Sequence, residues 1–121
     1  ANANVMHPFT PHWQDCGGLP GFIMKNVTLD ARPVPGRNST FHLCGQNRDF
    51  YIVPFDKIHV TSGTVIDETF EENVTVVWRQ DYCFDVKLRI PKRASNMLVI
   101  NCDLESRPFA EAACAKVILK L

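Results

Sequence analysis

The side chains best able to do chemistry in this 121-residue chain are five cysteines, at 16, 44, 83, 102 and 114, and four histidines, at 7, 12, 42 and 59. An odd number of thiols leaves at least one unpaired or shared between chains. No Cys-x-x-Cys occurs, and the histidines have no ligand spacing among themselves, so zinc-ribbon and thioredoxin chemistry have no signature here. His12 and Asp15 lie beside Cys16, the one grouping that suggests a thiol nucleophile. Cys16 is better explained as half of a bridge. Gly-x-Ser-x-Gly, His-Glu-x-x-His, P-loop and Gly-x-Gly-x-x-Gly motifs are absent. Asp67, Glu68, Glu71 and Glu72 lack the regular oxygen spacing of a calcium loop and read as a solvated loop. The expectation is a protein that is not an enzyme, with no cofactor and no metal.

A second chemistry is written in three N-glycosylation sequons: Asn26-Val27-Thr28, Asn38-Ser39-Thr40 and Asn73-Val74-Thr75. None contains proline, so each meets the acceptor rule. With the cysteines they predict a secreted or lumenal glycoprotein, in the secretory pathway, an endosome or lysosome, or outside the cell. Thirteen basic and thirteen acidic residues give zero formal charge, which argues against nucleic acid as partner. No apolar run approaches the roughly 20 residues of a membrane-spanning helix. Ala1-Asn2-Ala3-Asn4 lacks the charged and apolar regions of a signal peptide and fits the remnant left when one is removed.

The elements that must position these groups are short strands. Residues 1–12 are polar, carry Pro8 and Pro11, and read as an N-terminal arm; residues 13–121 read as one domain. Ile23, Val27 and Leu29 share one face of a strand over 22–30, and Phe41 and Leu43 alternate against His42 in a strand over 40–44. Arg32-Pro33-Val34-Pro35-Gly36 is a turn, and Gly45 to Asp49 ends the second strand. Phe50–Phe55 is broken by Pro54, which confines it to an edge, a bulge or a loop. Val74, Val76 and Trp78 alternate over 73–80. In 82–90 the alternation is strict: Tyr82, Phe84, Val86, Leu88 and Ile90 face one way, and Cys83, Asp85, Lys87 and Arg89 the other. Met97–Leu104 and the tail from Ala113 to Leu121 complete the set, with at most a helical turn in 108–115. Seven or eight strands at this spacing predict an all-β fold, a two-sheet antiparallel β-sandwich of immunoglobulin-like size.

Three stretches carry a resemblance to a known family. Trp13-Gln14-Asp15-Cys16-Gly17-Gly18 is similar to an aromatic-x-Asp/Asn-Cys opening. Ile23 to Leu29, followed by Pro33, Pro35-Gly36 and Asn38, is similar to a strand–proline–glycine–strand run. Leu98-Val99-Ile100, returning through Ala113-Cys114-Ala115, is similar to a closing hairpin. The chain so resembles the ML, or MD-2-related lipid-recognition, family, which includes the Niemann–Pick type C2 protein, the GM2 activator and group 2 mite allergens. The stretches span about half the chain. Residues 46–96 depart from the family: its mid-chain Cys-Pro hairpins are missing, and Cys44, Cys83 and Cys102 have no counterparts. The resemblance implies a Cys16–Cys114 bridge stapling the first and last strands, and an apolar cavity between the sheets.

What the resemblance implies for function is lipid binding: a protein that extracts, carries or presents a lipid, sterol or other apolar molecule. The expected lining is Phe41, Leu43, Val76, Trp78, Tyr82, Phe84, Val86, Leu88, Val99 and Val117, with Phe50, Tyr51 and Phe55 on an apolar rim that meets a membrane or gates the pocket. Arg89, Lys92 and Arg93 offer a basic turn for anionic head groups. A receptor is a further possible partner, and an unpaired cysteine offers a route to a homo-oligomer. The rival reading is a non-enzymatic, Ig-like recognition, adhesion or receptor-associated module with a filled core. The two share a fold and differ in whether the interior is open.

Overall fold

A computed structural model describes residues 8–17, 21–48, 50–92, 96–106 and 112–121. Eight strands form: β1 (His12–Asp15), β2 (Phe22–Leu29), β3 (Asn38–Asn47), β4 (Val53–Ser62), β5 (Ile66–Val76), β6 (Asp81–Arg89), β7 (Met97–Glu105) and β8 (Ala113–Lys120). They pair antiparallel in two sheets, ordered β1-β8-β7-β4-β5 and β2-β3-β6. Among the described residues there is no helix, and so none long and apolar enough to cross a membrane. The antiparallel registers place the start of β2, the end of β3, the start of β4, the end of β5 and the start of β6 at one end of the sandwich. The turns after β2 and after β6 lie at the other.

β6 follows its alternation residue by residue, with Phe84, Val86 and Leu88 buried and Cys83, Asp85 and Lys87 exposed. β2 does not. A bulge between Met24 and Asn26 resets its pleat, so Phe22 and Met24 point inward with Val27 and Leu29, and Ile23 points out. β3 runs on through Gly45 to Asn47 instead of stopping at Gly45, because glycine there leaves room for the Phe22 ring and the Ile23 carbonyl. Pro54 sits in β4 where that strand pairs with β5 alone, β7 joining only from Lys57 onward, so its missing N–H costs no ladder bond to β7.

The acidic residues Asp67, Glu68, Glu71 and Glu72 are not a loop but part of β5, an edge strand, where the first three are exposed and Glu72 is half-buried. Charge on an edge strand opposes pairing with another chain. The segment read as an arm is partly built into the sandwich: Phe9 exchanges both backbone hydrogen bonds with Leu29, at 2.9 and 2.8 Å, and His12 opens β1. Residues 1–7 lie outside the described residues, as do 107–111 of the stretch read as a helical turn; Ala113 to Ala115 belong to β8.

The inward faces make one core, dominated by Phe41, Phe55, Phe84 and aliphatic side chains of all the longer strands. Cys16 and Cys114 are bridged, Cα atoms 5.1 Å apart, joining the end of β1 to β8. Cys44 and Cys83, direct partners in the β3–β6 ladder with Cα atoms 4.0 Å apart, form a second bridge on the outer face. Cys102 is free and wholly buried on β7.

Candidate functional site

Exposed aromatic and cationic side chains gather at the end where β3 gives way to β4 and β5 to β6. The first connection exposes Phe50, Tyr51 and Ile52, at 78%, 76% and 60%, and the second exposes Val77 and Trp78. Phe50 stacks on Trp78 with centroids 4.9 Å apart, and the Arg79 guanidinium lies 4.3 Å from the Trp78 ring. Buried Asn47 ties the two connections together: its amide donates to the carbonyls of Tyr51, at 2.8 Å, and Val76, at 2.9 Å. Its backbone accepts from Arg79 N–H at 2.7 Å and donates to the Gln80 carbonyl at 3.0 Å. These bonds hold Arg79 at φ 65°, a left-handed conformation that a non-glycine residue adopts at a cost.

Below this surface pair a cluster of rings fills the space between the sheets. Tyr82 and Phe84 lie 4.8 Å apart edge to face, Phe84 and Phe55 4.8 Å, and Phe55 and Phe22 5.0 Å. Two clefts flank the same end. One, of about 470 Å³, is lined by Gln46, Arg48, Phe50, Trp78 and Arg79. The other, of about 280 Å³, lies over Pro54, Phe55 and Asp56 against Asn73, Val74 and Thr75. The Tyr82 hydroxyl donates to Glu72 of the other sheet at 3.3 Å. Burial, then the Glu72 charge and this hydrogen bond, raise the Tyr82 pKa above its ordinary value.

The expected lining divides. Phe41, Leu43, Val76, Phe84, Val86, Leu88 and Val117 are inward and buried, and Tyr82 is half-buried; Phe55, expected on the rim with Phe50 and Tyr51, is instead buried in the core. Trp78 is not inward: β5 ends at Val76, and the turn that follows carries Trp78 to the surface, 41% exposed. Val99 faces outward, because Leu98, Ile100, Cys102 and Leu104 take the inner positions of β7. The chamber between the sheets is closed at these walls. Phe41, Leu43, Val76, Phe84 and Val117 have 0% accessible surface. A void able to hold water would give its wall atoms accessible area, so none borders them.

Three other expectations meet the structure here. Arg89 and Lys92 are exposed but at the far end of β6 from the aromatic pair, and Arg93 lies outside the described residues. Cys16 has no free thiol to attack with, and Asp15 instead accepts from Gly17 N–H at 3.0 Å. Cys102 offers no route to a second copy, because it has no accessible surface; burial, then the Asp103 charge, push its thiol up to about 12. Among the described residues no three His, Cys, Asp or Glu side chains gather to hold a metal. All three sequon asparagines are exposed.

No protein-family model matches the chain, and no curated protein matches it either. Among solved structures, a Niemann-Pick type C2 protein from Japanese carpenter ant aligns with a TM-score of 0.61 over 90% of this chain and 98% of its own, at 9% identity. The chain has the Niemann–Pick type C2 fold. At that identity the likeness is one of architecture, and it agrees with the resemblance carried by the Cys16 and Cys114 segments. The bridge that resemblance implies is formed. Sequence reasoning missed four residues of the aromatic end of this Niemann–Pick type C2-like sandwich: Gln46, Asn47, Arg48 and Arg79. The two arginines were legible as cations flanking the Phe50 and Trp78 aromatics; nothing in the sequence marks Asn47 as buried.

Proposed function

We propose that the chain is a secreted or lumenal glycoprotein that binds a lipid or sterol between its two sheets and extracts, carries or presents it without covalent chemistry. The observation that carries this reading is the exposed Phe50–Trp78 pair at the end of the sandwich where the Tyr82–Phe84–Phe55–Phe22 rings begin. Five exposed apolar side chains in two adjacent connections form a rim suited to a membrane surface. Loading requires the rings to rotate and the sheets to part. An acyl chain offsets that cost with ~0.8 kcal/mol for each buried CH₂. The likeness in fold to a Niemann-Pick type C2 protein supports the same reading. Asn26, Asn38 and Asn73 are accessible for glycans.

A second reading has its own support. A closed core with an exposed aromatic patch also suits a recognition module, in which Phe50 and Trp78 anchor a protein partner. Transfer of fluorescent fatty acid and fluorescent sterol between neutral vesicles separates the two. The carrier reading expects transfer that scales with protein and falls about tenfold in Phe50→Ser/Trp78→Ser. A clean apo mass in native mass spectrometry, with no uptake of either probe, sinks it in favour of the recognition module.

A further inference from the structure

We infer that the ligand is an anionic amphiphile with a single apolar tail, its charged group held in the cleft by Arg48 and Arg79. This rests on the lipid-binding reading and narrows it to a ligand class. Arg48 Nε donates to Gln46 Oε1 at 3.3 Å, and Gln46 Nε2 donates to the Arg79 carbonyl at 3.1 Å, so one glutamine braces both arginines. The Arg79 guanidinium lies over Trp78 at 4.3 Å, which orders the group and leaves N–H donors free to bond outward from the ring. Among the described residues no carboxylate pairs with either arginine. Two guanidiniums in a cleft of about 470 Å³, with no carboxylate partner among the described residues, are complementary to a carboxylate or phosphate.

The interior sets the shape of the tail. Its walls at Phe41, Leu43 and Phe84 border no void. A flexible chain advances by displacing one ring at a time, whereas a fused-ring body requires opposed walls to move together in a close-packed core. The tail therefore runs from Phe50 and Trp78 toward Tyr82 and Phe84, with the anion left at the mouth.

The test is binding of oleate, oleoyl lysophosphatidate, methyl oleate and cholesterol to the full, disulfide-bonded chain. Both anions bind, about tenfold or more tighter than the uncharged ester. Raised salt narrows that gap, because both arginines are exposed. Arg48→Gln/Arg79→Gln removes the gap while leaving thermal unfolding within a few degrees. In Trp13→Phe, which keeps Trp78 as the sole indole, dibromostearate quenches the fluorescence. Oleate alone binding, or lysophosphatidate alone, identifies the anion and supports the site. Equal binding of ester and anions, or cholesterol binding tightest, overturns the inference and leaves lipid binding standing. No binding by any probe overturns both.

Discussion

Tyr82 on β6 and Glu72 on β5 stand in opposite sheets, joined by a 3.3 Å hydrogen bond between hydroxyl and carboxylate. Tyr82→Phe should lower stability to urea by about 1 kcal/mol. Because the folded Tyr82 pKa is raised, the folded chain keeps its phenol proton at pH values where the unfolded chain has lost it. The contribution is therefore complete below about pH 10 and fades as pH rises through the folded value. Urea unfolding of wild type and Tyr82→Phe should converge at high pH; a gap that stays constant through the phenol titration counts against a role for this hydrogen bond in stability.

Cys102 predicts a thiol that reagents cannot reach. Its pKa is raised to about 12 and its surface is wholly buried. Ellman's reagent at pH 8 should find no thiol in native protein and one after unfolding in denaturant. The sign for stability is the same as for Tyr82: a raised folded pKa gives a contribution present below the unfolded value and lost as pH climbs toward 12. One equivalent of native reactivity would show that the β7 face opens.

Gly45 is fixed by packing rather than by backbone angle. A Cβ there would run into the Ile23 carbonyl and the Phe22 ring. Gly45→Ala should cost about 3 kcal/mol in urea unfolding and disturb the ring cluster, visible in near-ultraviolet circular dichroism. An alanine variant within 0.5 kcal/mol, roughly the scatter of a surface change, would show that β2 can shift off β3 freely.

Asn26, Asn38 and Asn73 are each exposed, and the first and last lie at bulges in their strands. Protein from a secretory host should lose three glycan masses on enzymatic deglycosylation, and each Asn→Gln variant should remove one. Fewer than three marks a site that folding closes before modification.

How much was legible depended on what each strand faces. β6 reads directly because one side meets the core and the other meets water, so charge and hydrophobe alternate. β2 misleads because its bulge shifts the pleat at Lys25, a position no glycine or proline marks. β5 was hidden from residue 66 to 72 because an edge strand with a solvated face carries polar side chains that also suit a loop. Trp78 was placed inward by extending a period-two pattern past Val76, where the chain turns onto Asn47. The cleft was out of reach for the same reason: its residues come from two connections whose meeting depends on one buried amide.

β5 is an eleven-residue edge strand, long enough to recruit a second copy by backbone pairing. Asn73 interrupts it at φ 46°, where two residues of β5 stand against one of β4 between Val74 and Glu71. The straight row of amides is thereby split into two short lengths set at an angle, and a neighbour aligned to one is out of step with the other. Stacking into fibrils needs an unbroken ribbon, and this kink, with the acids beside it, denies the growing end its template.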